Sequence, residues 1–528
     1  MKMKKSVIYT TFTYEYRHVI EYLNKEHGWN PAFVFGSEHL GQWVKENYKD
    51  AIFHAQSELI SYGFDFNRIG MVKVPIDAEI IEALSKHEAY YLLSTMSTSD
   101  STGWNFSAQE RARYYYDLLI FWNTILKNVK PDIFVTYTMP HTLTDYVLYR
   151  LCKYYQIPVL YIDHVPLFNY QEDKYFYIGV SLEKQSDVFK GLYHSDKTYP
   201  LPNGVKEYLK SIRSKEGLPP PYCVHFIKNI GKHWNPGFLR VCRRLIKLLV
   251  TGRLFEKPDL MSWKDNKQPF DSEKSKMNNW QTILFQERIC HQDKKLRKIY
   301  SSFVKEADLN KKYIYYAAAV QPEAGIWSTY QDQLLLLEVL SSSIPDDWLI
   351  YYKEHPGTFI VGGKASLVRD RHYYDRISSY KNIVMIPSET DTFKLINSAQ
   401  AVATPSGTVG WESIVRGTPV LIFGHVWYQG CKSVFEIHSR RDCIDAIQKI
   451  NNGFKPDQAD IEKFVGAVLQ LCEKNIICGY FYQEELQSCL DPQEEMVRIA
   501  KHFYKAYETH YSDRSQNEKV NLKNYNHV

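Results

Sequence analysis

From Lys311 onward the chain alternates short apolar runs with helix-length segments, and this restricts the fold more than any other feature. "YIYYAAA" (313–319) reads as a strand and "QDQLLLLEVLSSS" as a helix. "WLIYYK" (348–353) is the next strand, followed by a helix near 370–380. "NIVMI" (382–386) precedes the helix "DTFKLINSA", and "AVAT" (401–404) precedes "TVGWESIVRG", which ends at Gly417 before the strand "PVLIF" (419–423). Five β-α steps within about 110 residues need parallel strands joined by crossover helices, the architecture of a nucleotide-binding-type domain.

The first third repeats the scheme less densely. "SVIYTTF" (6–12) is a strand, "YEYRHVIEYLNKEHG" a helix stopped by Gly28, and "NPAFVFG" a second strand. Ser107 and Glu110 make a capping box ahead of the apolar stripe "RARYYYDLLIFWNTILKNV". Residues 130–166 supply a strand (132–137), a helix (about 142–154) and a strand (157–162). Residues 170–310 are irregular and rich in Lys, Pro and aromatics, and they read as an insertion plus an interdomain connection. Within them "GFLRVCRRLIKLLVTGRLF" (237–255) is a basic amphipathic helix. It fits a helix lying on an anionic membrane surface, and also the commoner case of a helix packed on its domain with the basic face in water. Near the end, Asp491 as N-cap and Pro492 at the first helical position open a long terminal helix, followed by a polar tail.

The expected division is therefore an N-terminal Rossmann-like unit (1–169), the insertion (170–310), a C-terminal Rossmann-like unit (311–480), and a helix with a tail (481–528). The fold class is α/β, with two parallel-sheet domains facing a cleft. The 528 residues are ample for two or three cores. A net charge of +5 over this length argues against a nucleic-acid binder, although it suits an anionic nucleotide or membrane surface. Nine scattered cysteines without a Cys-x-x-Cys point to a reducing cytoplasm rather than to disulfides or zinc. No run of about 18 apolar residues occurs, so any membrane contact must be peripheral. The 41 tyrosines are given no functional weight.

Ligands of open parallel sheets bind beyond the carboxyl ends of the strands. In the second half, five consecutive strand ends carry polar residues. These are Gln321 and Glu323; Glu354 and His355; Ser388, Thr390 and Asp391; Ser406, Gly407, Thr408 and Glu412; and His425 and Tyr428. In "SGTVGWE", Gly407 lets backbone approach a ligand, while Thr408 and the next N–H groups open a helix that favours an anion. Ser406 and Thr408 add hydroxyl donors, and Glu412 lies a turn into the helix, within reach of a ribose. The same heptapeptide also fits a plain strand-to-helix turn with a hydroxyl cap. It is not a Walker loop, because no Gly-Lys-Ser/Thr is present. His355 shares this rim, where its imidazole can donate to a phosphate, and Pro356 ends the strand.

"YYKEHPG", "SGTVGWESIVRGTPVLIFG" and "WY" resemble the capsule polysaccharide biosynthesis family, which includes bacterial Kdo transferases that use CMP-Kdo and has a GT-B fold. The His-Pro pair and the Ser/Thr loop are also similar to those of bacterial GT-B sialyltransferases. The resemblance covers roughly 311–430 well and the N-terminal half in outline. It implies a GT-B-like pair of domains with a C-terminal crossing helix, and a glycosyltransferase that moves Kdo or a related 2-keto sugar acid from a CMP donor to a lipid-linked or oligosaccharide acceptor. It implies no cofactor beyond the nucleotide-sugar co-substrate, no bound metal, and a place in the cytoplasm, at the inner face of the membrane if it touches one. His355 would bind the donor phosphate, Ser406, Gly407 and Thr408 the phosphate or sugar carboxylate, and Glu412 the ribose. Gln321, Lys353, Pro356, Thr390 and Asp391 complete the donor-binding set.

Glu323 is the catalytic candidate of the second domain, standing where the family pattern leads one to expect Asp. It can be nucleophile, electrostatic stabiliser of an oxocarbenium-like transition state, or ligand to a donor hydroxyl. An inverting reaction would need a base on the first domain, for which Asp163 and His164 are candidates, with His141 and Glu15 behind them. Alternatives that would use similar loops are a CDP-glycerol-type phosphotransferase, a UDP-sugar 2-epimerase, and a non-catalytic capsule assembly or export protein.

Overall fold

The computed structural model describes residues 4–10, 14–55, 66–67, 69–85, 96, 106–140, 143–167, 176–180, 187–214, 237–257, 277–319, 330, 332–355, 357–359, 365–475, 477–478, 481–482 and 491–511. Gln321, Glu323, Pro356 and His141 lie outside these residues, as does the side chain of His164.

Two sheets organise the chain. The first is built from β1 (Lys5–Thr10), β2 (Trp29–Gly36), β3 (Ile52–Ala55), β4 (Ile133–Thr136), β5 (Val159–Val165), β6 (Phe176–Val180) and β13 (Cys472–Asn475). The second holds β7 (Tyr313–Ala317), β8 (Leu349–Lys353), β9 (Ile383–Met385), β10 (Ala401–Thr404), β11 (Val420–Ile422) and β12 (Val434–Glu436). A short hairpin pairs β14 (Ile477–Cys478) with β15 (Phe481–Tyr482). The first sheet runs β3-β2-β1-β4-β5-β6-β13, parallel as far as β5 and antiparallel beyond it. The second runs β9-β8-β7-β10-β11-β12 and is parallel throughout. Numbered from its own first strand, that order is 3-2-1-4-5-6, the doubly wound arrangement.

The turns that set these elements follow from local chemistry. Helix α1 (Arg17–His27) ends at Gly28, whose φ of 71° is the left-handed conformation that a C-terminal cap requires. After α2 (Glu38–Asn47), α3 (Ala108–Val129) opens on the Ser107–Glu110 capping box. Helix α4 (Leu143–Tyr154) then leads to β5.

Each strand sends alternate side chains to opposite faces. Val7 and Tyr9 of β1 join α1, α2 and the terminal helix α15 (Pro492–Tyr511). Ile8 joins α3 and α4 on the other face. The crossing helix expected at the C-terminus is therefore present. It packs on the first sheet, with Lys5 Nζ donating to Tyr507 Oη at 2.9 Å and Tyr504 stacked on His27 at 3.5 Å.

Residues 170–310 are shared between the two sheets. Strand β6 extends the first, and the chain returns at 472 so that β13 pairs with it. Helices α5 (Asp187–Tyr193) and α6 (Asn203–Arg213) instead pack on the second sheet, in one core with Tyr313, Tyr315 and Val402. Helix α7 (Phe238–Val250) lies on α8 (Asn279–Phe303), which packs on the opposite face through Leu296 and Tyr300. That face also carries α9 (Gln333–Ser341), α10 (Arg371–Ser379) and α13 (Arg440–Asn451). The first face carries α11 (Thr392–Ser398), α12 (Val409–Val415) and α14 (Gln458–Gln470).

Several of the many tyrosines have a structural use here. Buried strand tyrosines reach polar groups at the sheet margin, Tyr313 Oη donating to Leu395 O at 2.8 Å and Tyr316 Oη to Gln333 Oε1 at 2.8 Å.

Candidate functional site

In a 3-2-1-4-5-6 sheet the strand order reverses between the first and fourth strands, here β7 and β10, and the crevice opens beyond their carboxyl ends. The loop after β10 contains Ser406, Gly407 and Thr408, and β8, which delivers His355, is the neighbour of β7 on the other side. The topology therefore brings the two sequence motifs to adjacent places on one rim.

The 405–408 loop is braced from beneath. Thr404 Oγ1 accepts from Gly407 N at 3.0 Å, and Tyr428 Oη donates to Gly407 O at 2.6 Å. A Cβ on Gly407 would sit 2.8 Å from Thr404 Oγ1, so the glycine is needed for the turn. Its amide is committed to Thr404, which differs from the direct ligand approach expected of it. Gly410 has a stronger requirement, because a Cβ there would meet Tyr428 Oη at 2.2 Å and Val420 Cγ2 at 2.9 Å. This contact lets α12 lie flat on β11, with Trp411 against Trp427 at 4.5 Å. At the rim, Thr408 is exposed and its side chain makes no capping bond, and Ser406 is half-buried beside it.

Glu412 is half-buried one turn into α12, and among the described residues its carboxylate has no hydrogen-bond partner. Burial raises its pKa from 4.5 to about 7, against the opposing pull of the Arg416 and Lys353 cations. Arg416 is occupied elsewhere. Its Nη2 donates to Ser214 O at 2.7 Å, its Nη1 to Asn397 Oδ1 at 3.2 Å, and its guanidinium lies 4.1 Å from the Phe393 ring centre.

At the end of β8, adjacent residues have separate duties. Lys353 is buried, and its Nζ donates to Thr390 O at 2.7 Å and to Thr392 Oγ1 at 2.6 Å, tying β8 to the loop after β9. Burial lowers its pKa to about 8, while the carboxylates of Asp391, Glu389 and Glu412 oppose that shift. Glu354 is fully buried. It accepts from Arg369 Nε at 3.0 Å, Tyr352 Oη at 2.7 Å, Tyr374 Oη at 3.1 Å and Thr358 Oγ1 at 3.2 Å. It therefore anchors the strand end rather than facing the rim. The Asp391 carboxylate caps α11, accepting from Phe393 N at 2.8 Å and Lys394 N at 3.2 Å.

His355 is held by its own turn, with Gly357 N donating to Nδ1 at 3.0 Å. A backbone N–H can only donate, so Nδ1 is unprotonated and the neutral ring carries its hydrogen on Nε2. Burial lowers the imidazole pKa, with the Lys353 charge adding to the effect and Glu354 opposing it. At neutral pH His355 is thus a neutral ring with a fixed Nε2–H donor.

The first-domain candidates are placed differently from the sequence reading. Strand β5 runs on to Val165, so Asp163 and His164 lie inside it, opposite Gly179 and Ile178 of β6, and not in a loop after it. The polar pair breaks the apolar run, which hides the continuation that an antiparallel partner supports. Asp163 is buried, and Glu15 is half-buried in a single 3-10 turn before α1. Sequence reasoning missed Arg416, Arg369 and the bracing role of Tyr428, because each acts on a partner remote in the chain.

Residues 314–432 match the family model described as "Capsule polysaccharide biosynthesis protein". The match spans less than a quarter of the 528 residues, and over this segment the chain is similar to the capsule polysaccharide biosynthesis family. The matched residues run from β7 to just beyond Tyr428, so they contain every rim element described above. No curated protein matches the chain. Among solved structures, the UDP-GlcNAc 2-epimerase of Methanocaldococcus jannaschii is 13% identical with a TM-score of 0.23, covering 89% of this chain and 100% of its own. The Neisseria meningitidis UDP-GlcNAc 2-epimerase bound to UDP-GlcNAc is 12% identical with a TM-score of 0.21, covering 96% and 100%. KpsC of Thermosulfurimonas dismutans, a β-Kdo 2,7 transferase, is 13% identical with a TM-score of 0.26, covering 71% and 88%. At these scores the three likenesses carry no argument. The GT-B-like architecture of the chain rests on its own two doubly wound sheets and the returning terminal helix.

Proposed function

We propose that this protein is a glycosyltransferase of surface-polysaccharide synthesis that takes Kdo or a related 2-keto sugar acid from a CMP donor. The acceptor is an oligosaccharide or a lipid-linked chain, and the reaction takes place in the cytoplasm without a bound metal. The observation that carries the reading is the Glu412 carboxylate, half-buried beside the switch-point loop with no hydrogen-bond partner among the described residues. A buried carboxylate without donors is costly, and the two hydroxyls of a ribose supply the missing ones. His355 Nε2–H donates to a donor phosphate oxygen, and Ser406 and Thr408 donate to phosphate or to the sugar carboxylate. Lys353 adds positive potential beneath the rim, and Thr390, Asp391 and Gly407 position the loops around it. Gln321 and Pro356 are assigned to the same donor site from the sequence, and Glu323 to catalysis. For an inverting reaction the base is sought at Asp163 or His164.

The test is a thermal-shift and calorimetric titration with CMP, CDP and UDP. A ligand at about 100 times its dissociation constant stabilises the fold by about 2.7 kcal/mol. The reading expects a shift with CMP that His355→Ala removes, since a hydrogen bond to a charged group contributes about 1.5–3 kcal/mol. A shift with UDP or CDP instead would reassign the donor to the epimerase-like or phosphotransferase-like chemistry. Glu323→Gln should abolish capsule production in a complementation assay, and a variant that still complements would indicate a scaffold.

A further inference from the structure

Helix α7 and the turn after it present the most unusual surface of the described chain. No side chain of α7 is buried. Phe238, Leu239, Ile246, Leu249 and Val250, with Phe255 just beyond, are 59 to 80% exposed. At 100° per residue the five helical side chains fall within one sector of about 120°. Val241, Leu245 and Leu248 lie on the adjoining sector and are half-buried. Arg244 reaches Gln286 of α8 at 3.5 Å, so α8 supports one side of the helix and leaves the other apolar side in solvent. The remaining sector is basic. Residues 237–255 contain Arg240, Arg243, Arg244, Lys247 and Arg253 and no acidic residue, five positive charges against a net +5 for the whole chain. Arg253 pairs with Glu256 at 3.1 Å, which leaves Arg240, Arg243, Arg244 and Lys247 as the cations of the helix itself.

We propose that this face docks on the surface of a bilayer rich in anionic lipid. Such a surface offers hydrocarbon to the exposed sector, and anionic headgroups at the depth where Arg243 and Lys247 flank it. A second copy of the chain would set the four cations of one helix, Arg240, Arg243, Arg244 and Lys247, against the same four of the other, and α7 itself carries no acidic residue. The helix is about 20 Å long at 1.5 Å per residue, too short to cross a bilayer and suited to lying along one. Among the described residues no helix is long and apolar enough to span a membrane. The attachment is rigidly coupled to the second sheet, because Tyr300 near the end of α8 donates to Ile386 O and its hydroxyl also accepts from Glu354 N at 3.2 Å. The patch lies outside residues 314–432, so it does not depend on the identity of the donor.

The full chain should sediment with vesicles of phosphatidylcholine mixed with phosphatidylglycerol, and weakly or not at all with phosphatidylcholine alone. Neutralising two charges in Arg243→Gln/Lys247→Gln should weaken binding about thirtyfold, since each basic residue near such a surface contributes about 1 kcal/mol. Leu239→Asp/Leu249→Asp should weaken it by about a hundredfold or more. Both pairs are exposed, so unchanged thermal midpoints will show that the variants fold. Equal binding to neutral and anionic vesicles would overturn the proposal, as would no binding to either. It would also fail if sedimentation equilibrium showed a dimer that Leu249→Asp dissociates. A chain that binds vesicles but not CMP would leave this inference standing while removing the donor assignment.

Discussion

Replacing Glu412 by Gln should stabilise the protein at alkaline pH while impairing it as a nucleotide binder. Burial raises the carboxyl pKa from 4.5 to about 7. Across that window the folded protein holds a proton that the unfolded chain has released, so stability falls as pH rises through it. A shift of this size corresponds to at most about 3 kcal/mol, and nearer 2 kcal/mol once solvent at the open side of the recess is allowed for. Glutamine has no such proton, so its stability relative to wild type should rise by about 2 kcal/mol between pH 5 and pH 8. Urea unfolding followed by tryptophan fluorescence at the two pH values measures this directly. Lys353, whose pKa is lowered to about 8, contributes to both proteins and largely cancels. CMP affinity should move the other way, falling by about tenfold to a hundredfold at the higher pH as the charged acceptor for the ribose is lost. A stability difference that is the same at both pH values would refute the reasoning. So would a glutamine variant less stable at alkaline pH, because the carboxylate would then be held ionised by Arg416 or Lys353.

Gly410→Ala should cost about 1–3 kcal/mol and lower CMP affinity, since the new methyl displaces Tyr428 from its hydrogen bond to Gly407 O; denaturant midpoints and titration would record both. Arg369→Met should cost about 3–5 kcal/mol by leaving Glu354 buried without its counterion, and Arg369→Met/Glu354→Leu should recover much of it; a single variant within about 1 kcal/mol of wild type would contradict the ion-pair reading.

The alternation of strand and helix was legible because local chemistry enforces it. Gly28 and Gly417, with φ of 71° and 89°, stop their helices where the sequence places the stops. The Ser107–Glu110 box and the Asp491 cap start theirs, Asp491 Oδ1 accepting from Gln493 N at 2.9 Å. What could not be read locally is pairing at long range. Nothing around 472 announces an antiparallel partner at 176–180, and nothing in 187–214 announces that it packs on a sheet formed a hundred residues later. The extension of β5 through Asp163 and His164 has the same cause, because a polar pair looks like a strand end until β6 is set beside it.

The rim was legible as a place but not as a division of labour, and the division is the more informative part. Of the polar residues that follow the strands, Glu354 is committed to Arg369, Asp391 to the N-terminus of α11, Lys353 to Thr390 and Thr392, and the Gly407 amide to Thr404. A sequence cannot reveal these commitments, since each depends on a neighbour brought in by the fold. Once they are subtracted, the groups that remain at the described rim include the Nε2–H of His355, the uncapped hydroxyl of Thr408, and the Glu412 carboxylate. These donors and this acceptor make no hydrogen bond to one another among the described residues. They match a ligand that is anionic at one end and carries hydroxyl donors at the other, as a nucleoside phosphate does. The internal commitments also hold the places from which those groups project, because β8 beside His355 is tied to Thr390, the His355 ring to its own turn, and the loop before Glu412 to Tyr428. This pre-organisation is the physical reason to expect the CMP shift to survive conservative changes elsewhere on the surface and to disappear with His355 or Glu412.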